Sequence, residues 1–123
     1  MYKRYHKKIY IPDNIKSQFN GFTDNLNTKK WLYSRHCLDN LKYRCYDIKE
    51  ILSFIKGLIL KSDTIFEVYA DDKNKIEKLC YRVEYNNFDI ILVINKDKKI
   101  VTLYTNTKND EHITLNKNLY CRG

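Results

Sequence analysis

Hydrophobic residues follow two different periods along this chain, and the change from one to the other falls near Gly57. Before Gly57, apolar residues recur every three or four positions, which is typical of amphipathic helices. After Gly57, apolar and polar residues alternate over short stretches separated by polar turns, which is typical of strands. The pattern therefore predicts helices followed by a sheet.

Two helices are predicted in the first of these regions. Ser34 is a good N-cap for a helix over 35–44, because its hydroxyl can accept a hydrogen bond from an unpaired N–H of the first turn. Asp47 is expected to cap a second helix, with Glu50 as its capping-box partner and Gly57 just beyond its last turn. The predicted buried face of this second helix consists of Ile48, Ile51, Leu52 and Ile55.

Four strands are predicted in the second region, all rich in Ile, Val, Tyr and Phe. They span Ile65–Ala70, Lys78–Tyr85, Phe88–Asn95 and Lys99–Asn106. Asn86 and Asn87 suit a two-residue hairpin, since Asn tolerates the positive φ that such turns require. Short turns favour an antiparallel meander. The predicted fold class is therefore α+β, with two N-terminal helices packed on one face of a four-stranded antiparallel meander sheet, in a single domain spanning 1–123.

The predicted hairpin decides which residues share a face of the sheet. Leu92 and Val101 are expected on the helix-covered face, and Leu92 and Ile51 in one buried core. The opposite face then carries Arg82, Glu84, Asp89, Thr102, Tyr104 and Asn106. Two interpretations of this polar face stay open. It is a platform for phosphate or RNA, or it consists of ordinary solvent-facing residues, as half of any one-sided sheet must.

Residues 1–33 are interpreted as a basic N-terminal extension to a helix-helix-sheet core over 34–120. The alternation of aromatic and basic residues at its start is compatible with a strand, a mobile arm on phosphates or a solvated tail. Asp13 is expected to cap a short helix that runs through Phe19 and ends at Gly21.

The positive charge of the chain is concentrated in its first part. Up to Arg44 there are ten Lys or Arg against three Asp, and from Cys45 onward thirteen against twelve Asp or Glu, so seven of the eight net charges lie in the first part. A cationic surface attracts polyanions, of which nucleic acid is the default. The candidate nucleic-acid-binding residues are Lys3, Arg4, Lys7, Lys8, Arg35 and Lys42.

Several function classes find no support in the sequence. No apolar run approaches the length of a membrane span, and no hydrophobic segment follows the charged start as in a secretory signal. The four cysteines lack metal-site spacing and are interpreted as reduced thiols of a cytoplasmic protein, with Cys37, Cys45 and Cys80 at core-facing or sheet positions. We expect no metal and no cofactor, since ligand spacing and a Gly-rich phosphate loop are both missing.

The stretch Ser34-Arg-His36-Cys-Leu-Asp-Asn-Leu41-Lys-Tyr-Arg44 resembles the first helix of a family of small domains from phages and mobile elements. In that family a His follows a small capping residue, and an Arg closes the helix before a second capped helix. Residues 78–85 and 100–104 look like the family's sheet, and 110–115 look like the polar segment after its last strand.

This resemblance covers about residues 34–120 and implies the barnase/RelE-like architecture, which is home to metal-independent ribonuclease toxins. Two positions depart from the family's pattern. Asn40 stands where many members carry Arg, and Cys45 stands where they usually carry Gly. These departures bear on catalysis rather than on the fold.

Metal-free RNA cleavage needs a base for the attacking 2′-OH, an acid for the leaving oxygen and cations for the developing charge. The candidate catalytic residues are His36, Arg44, Arg82, Tyr104 and His112. Either His can serve as base or acid, because imidazole titrates near neutral pH. The two Arg can hold phosphate bidentately, and the Tyr can stack on a base or donate a proton. The structural alternatives are a locally satisfied helix-start residue for His36 and a surface loop residue for His112.

The expected function is therefore that of an RNA-directed cytoplasmic protein, a candidate metal-independent endoribonuclease or toxin-like domain. Two alternatives stay open. One is a phage-encoded, non-enzymatic inhibitor of a host nucleic-acid machine such as a CRISPR effector, and the other is a plain nucleic-acid-binding accessory protein. The expected partner is RNA or a ribonucleoprotein, with a host protein target or an antitoxin as further candidates and no membrane.

Overall fold

The structure, a computed structural model, describes residues 3–24, 26, 32–43, 48–107 and 119–121. The strands in these residues are β1 (Lys3–His6), β2 (Leu32–Tyr33), β3 (Ile65–Ala70), β4 (Ile76–Tyr85), β5 (Phe88–Asn95) and β6 (Lys99–Thr107). The helices are α1 (Asp13–Lys16), α2 (Phe19–Asp24), α3 (Arg35–Tyr43) and α4 (Ile48–Lys56), and a 3₁₀ turn spans Ser62–Thr64.

Strands β3 to β6 form an antiparallel meander, as the alternating pattern predicts. Their bounds agree with the predicted ones to within two residues. The predicted hairpin is confirmed, because Tyr85 pairs with Phe88 and Asn86 has a φ of 53°. This positive φ is what a tight hairpin turn requires, and it fixes the register of β4 against β5.

The predicted fold class is nevertheless wrong, because the sheet has six strands and is mixed. Its strand order is β1-β3-β4-β5-β6-β2, with β1 antiparallel to β3 and β2 parallel to β6. The described helices also number four rather than two. Strand β2 is only two residues long, too short for a period to appear in the sequence. Strand β1 lies in the stretch whose alternation of aromatic and basic residues left a strand open as one of three interpretations.

The segment after Pro12 contains two short helices instead of the single predicted one. Helix α1 ends at Lys16, and α2 begins at Phe19 and continues through Gly21. The N-cap of α1 is Pro12, in an extended conformation, and Asp13 lies in the first turn. An acidic residue is favourable in that turn, because it lies beside unpaired backbone N–H groups. The predicted cap, Asp13, is therefore the residue that follows the observed N-cap, Pro12.

Helix α3 begins where the sequence predicts. The Ser34 hydroxyl accepts a hydrogen bond from the backbone N–H of Cys37 at 3.0 Å, which confirms the predicted N-cap. Ser34 also ties the helix to the sheet, since its N–H donates to the carbonyl of Ile100 at 2.9 Å and its hydroxyl to that of Val101 at 3.1 Å. One residue therefore sets both the start of α3 and its position beside β6.

Helix α4 ends immediately before Gly57, as predicted, although Gly57 does not adopt a positive φ. Its buried residues include Ile51 and Ile55. The predicted cap Asp47 lies outside the described residues. No helix in the described ranges is long and apolar enough to cross a membrane.

The helices cover one side of the sheet, here called the helix face. Leu92 and Ile51 are 0% and 3% exposed in its core, which confirms that both are buried in one cluster. The N-terminal segment contributes to the same core through Ile11, Ile15, Phe19 and Phe22. Burial of each such side chain stabilises the fold by about 1.5–3 kcal/mol.

The predicted core position of Val101 is wrong by one residue. A register shift between Val93 and Ile94 pairs Ile94 with Ile100, and Ile100 is fully buried in the core. Such an irregularity changes which residues of a strand face the core. Leu103 is buried in the same core.

Candidate functional site

Arg4, a predicted nucleic-acid contact, lies in an ion pair on the side of the sheet opposite the helices. We call this side the second face; its apolar centre consists of Phe66, Cys80 and Ile91. Nε of Arg4 lies 2.7 Å from Oε1 of Glu67, and the Glu67 side chain is only 1% exposed. The two residues come from neighbouring strands, since β1 pairs with β3. A buried carboxylate of this kind requires a cation beside it.

Aromatic rings enclose this ion pair. The Arg4 guanidinium lies 4.8 Å from the centre of the Tyr69 ring and 5.3 Å from that of Tyr120, both within cation–π range. The guanidinium also donates to the Tyr69 hydroxyl. His6 packs edge-on against Tyr120, with ring centroids 5.5 Å apart. The charge of Arg4 is therefore compensated within the fold.

Burial dominates the protonation equilibrium of the Glu67 carboxyl. Desolvation raises the pKa of Glu67, and Arg4 and the two tyrosine hydroxyls counteract that rise only in part.

The C-terminal residues complete the enclosure, because the backbone N–H of Cys121 donates to the carbonyl of Arg4 at 2.7 Å. The ion pair thus holds β1 and the C-terminal residues 119–121 together.

Arg82 and Tyr104 share the second face, in agreement with the predicted register. Arg82 is paired across β4 and β5 with Ile91, and Ile91 across β5 and β6 with Tyr104. Nε of Arg82 donates to Oδ2 of Asp89 at 2.7 Å, and Tyr104 packs against the apolar centre of this face. A phosphate at this face would have to compete with Asp89 for the guanidinium.

Arg35 and His36 lie in the first turn of α3 and are exposed. The next residue, Cys37, is fully buried in the core of the helix face, so α3 packs on the side of the sheet opposite Tyr104. The structure therefore places Arg82 and Tyr104 on one face and the helix that carries His36 on the other. Three other predicted residues lie outside what the structure describes: Arg44, His112 and, for its side chain, Lys42.

The lysines of the basic start have surroundings unlike those of Arg4. Nζ of Lys3 donates to Oδ1 of Asn74 at 3.0 Å, so it stabilises the β3–β4 turn. Lys7 and Lys8 follow β1 and are exposed. Nζ of Lys7 donates to the backbone carbonyl of Asp63 at 3.0 Å, a neutral acceptor rather than a carboxylate.

Lys7 also lines a cleft of about 430 Å³, here called the lysine cleft. The cleft lies between the turn after β1, helices α1 and α2, and the 3₁₀ turn. Its polar lining residues are Lys7, Lys16, Asn20, Ser62 and Asp63, and its apolar wall is formed by Ile11, Phe19 and Ile65. Two lysines against one aspartate leave one net positive charge. Size and a mixed apolar and polar lining are both typical of small-ligand sites.

Hydrogen bonds fix the walls of the lysine cleft. The backbone N–H of Lys7 donates to the carbonyl of Phe66 at 2.8 Å, which anchors the turn to β3. The Ser62 hydroxyl donates to Oδ1 of Asn20 at 2.5 Å. This bond uses the amide oxygen of Asn20, so its NH₂ group is left as a donor for a ligand.

A second cleft of about 310 Å³ also contains Lys7 but has the opposite charge balance. Its cations are Lys7 and Arg82, and its carboxylates are those of Asp63, Glu84 and Asp89. Two cations against three carboxylates make it less suited to an anion than the lysine cleft. Lys7 and Asp63 line both clefts.

Buried thiols offer no nucleophile at neutral pH. Cys37 and Cys80 are free and buried, in agreement with the predicted core-facing positions, whereas Cys45 lies outside the described residues. Burial raises the pKa of the Cys37 thiol to about 11, and it raises that of Cys80 as well. Only the thiolate is reactive, and at neutral pH both groups are held as thiols.

Sequence reasoning missed three lining residues of the lysine cleft, namely Lys16, Asn20 and Ser62. Lys16 and Asn20 are four positions apart but belong to different helices, and Ser62 follows Asn20 by 42 positions, in the 3₁₀ turn. The partner of Arg4 was also missed, although it leaves a signal. Glu67 is the single charge in the otherwise apolar or aromatic strand Ile65–Ala70, which indicates a buried carboxylate that needs a cation.

Comparison of the chain with protein-family models, with curated proteins and with solved structures gives no match. No group of three or more His, Cys, Asp or Glu within the described ranges is arranged to hold a metal ion. The functional argument therefore rests on the residues of the clefts and of the second face.

Proposed function

We propose that this protein binds RNA, free or within a ribonucleoprotein, in the cytoplasm, and that the lysine cleft together with the neighbouring Lys8 is the contact surface. The observation that carries the proposal is the convergence of Lys7 and Lys16 on one cleft, with the NH₂ group of Asn20 between the same walls. Lysine ammonium groups neutralise phosphates and release counterions, which supplies most of the affinity of non-specific nucleic-acid binding.

Binding is favoured over cleavage because the candidates that the structure describes, His36, Arg82 and Tyr104, do not line this cleft. Cleavage requires a base and an acid within hydrogen-bond reach of the reacting atoms. Arg82 is bonded to Asp89, and His36 belongs to a helix on the other side of the sheet from Tyr104. The ribonuclease function is therefore kept as an alternative outcome of the test.

The test is the salt dependence of binding of a single-stranded RNA oligonucleotide, measured by fluorescence anisotropy in the presence of a chelator. The variant is Lys7→Ala/Lys16→Ala. Each phosphate contact to a single strand contributes about 0.7 to the slope of log affinity against log salt, so the double variant should lose about 1.4. Gel analysis of the same samples should show intact RNA.

The matched control is Lys73→Ala/Lys75→Ala, which removes the same charge from the β3–β4 turn. That turn follows the end of β3, whereas the lysine cleft lies at the beginning of β3, and neither substituted lysine lines the cleft. Equal slopes for both variants would contradict the cleft as the contact surface, and degraded RNA would move the ribonuclease function ahead.

A further inference from the structure

Resting on this proposed function, we infer that the lysine cleft holds one unpaired nucleotide of the RNA. Its phosphate lies by Lys7 and Lys16, and its base lies against the apolar wall. The cleft combines features that a site for phosphate alone does not need. Its volume is that of a small-ligand site, and it has an apolar wall and hydrogen-bonding groups besides the lysines.

The apolar wall matches the faces of a nucleobase. Ile11, Phe19 and Ile65 are 6%, 7% and 2% exposed, so they belong to the core and present only a limited surface to the cleft. Their positions are therefore fixed by packing on the other side. A flat, weakly hydrated ring gains from such a wall, whereas a hydrated phosphate does not. Aromatic and apolar contacts of this kind are the usual way in which proteins hold unstacked RNA bases.

The polar lining matches the edge of a base. The NH₂ group of Asn20 is a donor, because its amide oxygen accepts from Ser62. The carboxylate of Asp63, in the same lining, is an acceptor. Bases carry donors and acceptors side by side on their edges, so this pair can bond to a base that has been freed from its partner.

The inference excludes double-stranded RNA as the preferred ligand. In a duplex the edge of the base is used for pairing and its faces are stacked, so the base would have to be extruded before it could enter the cleft. The full chain should therefore bind a single-stranded oligonucleotide at least about tenfold more tightly than the blunt duplex of the same length, at equal salt.

The experiment uses the full chain and three small probes: a 5′-mononucleotide, the corresponding nucleoside and inorganic phosphate. The mononucleotide should shift the NMR signals of Phe19 and Asn20, and should bind at least about tenfold more tightly than phosphate or nucleoside, since each of these makes only part of the contacts. Phosphate binding as tight as that of the mononucleotide would overturn the inference, because the base would then contribute nothing.

The variant Asn20→Asp keeps an oxygen for the Ser62 hydroxyl and replaces the NH₂ donor by a carboxylate oxygen. It should weaken binding of both the mononucleotide and the single-stranded RNA about tenfold, the usual effect of one lost hydrogen bond to a ligand. The control Asn87→Asp makes the same chemical change at the exposed β4–β5 turn and should have less than about a twofold effect.

The two proposals fail in different ways. If wild-type protein binds RNA and Lys7→Ala/Lys16→Ala weakens it, while duplex and single strand bind equally, RNA binding stands and the unpaired-nucleotide inference is wrong. If Asn20→Asp and Asn87→Asp reduce affinity equally, the effect is one of charge, and the inference is wrong again. If wild-type protein binds no RNA, the proposed function itself is wrong.

Discussion

Strand β1 and the turn that follows it belong to one basic stretch of sequence, but the fold uses their cations in different ways. Arg4, in the strand, lies between two tyrosine rings and 2.7 Å from a buried carboxylate. Lys7, in the turn, is exposed, lines the lysine cleft and donates to a backbone carbonyl. The cation that supports the fold and the one that is placed to meet a ligand are thus only three positions apart in the sequence.

The comparison shows what net charge can and cannot establish. The excess of Lys and Arg in the first part of the chain indicates a polyanion as partner, but one of these charges is already compensated inside the protein. Which charge is available depends on strand register, since β1 places Arg4 beside Glu67 and leaves Lys7 beyond the pairing. Substitutions in the strand and in the turn should therefore affect different properties.

The largest effect is expected for Arg4→Ala. Removal of the guanidinium leaves Glu67 buried without its cation, which should lower the free energy of unfolding by about 3–5 kcal/mol at pH 7. Urea denaturation, monitored by circular dichroism, measures the free energy of unfolding. The double variant Arg4→Ala/Glu67→Gln removes the stranded charge and should be more stable than Arg4→Ala alone. If the double variant is no more stable than Arg4→Ala, Arg4 does not stabilise the fold through its ion pair with Glu67.

Leu92→Ala tests an apolar side chain in the core of the helix face, for comparison with the charged Arg4 on the second face. The side chain is fully buried between α4 and the sheet core, so its truncation should cost about 2–5 kcal/mol through the cavity it leaves. The loss should be the same at pH 5 and pH 7, because no titratable group is exposed by the change. Wild-type stability of Leu92→Ala in urea would contradict its central position.

The loss caused by Arg4→Ala should, by contrast, depend on pH. A carboxyl whose pKa is raised in the folded state contributes stability that is present below its unfolded pKa and is lost as pH rises through the folded pKa. Desolvation already raises the pKa of Glu67, and removal of Arg4 raises it further. The deficit relative to wild type should therefore shrink by about 1 kcal/mol between pH 7 and pH 5. A deficit that stays constant between pH 7 and pH 5 would show that the ionisation of Glu67 does not contribute to the loss of stability.

The smallest effect on stability is expected for Lys7→Ala. The residue is exposed and forms one hydrogen bond to a carbonyl, so the free energy of unfolding should change by less than about 0.5 kcal/mol. The salt slope of RNA binding should nevertheless fall by about 0.7. The control is Lys73→Ala, which should leave both quantities unchanged. Strong destabilisation by Lys7→Ala would show that Lys7, like Arg4, supports the fold.

Features set by neighbouring residues could be predicted from the sequence. The Ser34 cap and the Asn86 turn each depend on a few adjacent positions, and both agree with the structure. The four strands of the meander followed from their alternation. Strand β2 could not be predicted, because two residues carry no period, and the Val101 position failed because a register shift leaves no mark on composition.

The candidate site was only partly predictable for a related reason. Lys7 stands out because it lies in a basic run, whereas Lys16, Asn20 and Ser62 are ordinary surface residues in three separate segments. Their convergence depends on the packing of α1 and α2 beside the 3₁₀ turn. The assignment of Arg4 to nucleic acid illustrates the opposite error, because charge alone does not reveal a partner more than sixty positions away.

The distance along the chain between β1 and β3 also bears on the order of folding. The turns of the meander join adjacent strands, whereas the contact of Arg4 with Tyr69 spans 65 positions. Closure of so long a loop is entropically costly and slow, so the meander should assemble before β1 is added at its edge. Until β1 pairs with β3, Glu67 remains hydrated. It loses its water in the same step that brings the Arg4 guanidinium beside it. The amide protons of β1 should accordingly exchange with solvent through local opening, while those of β4 and β5 exchange only when the whole sheet unfolds.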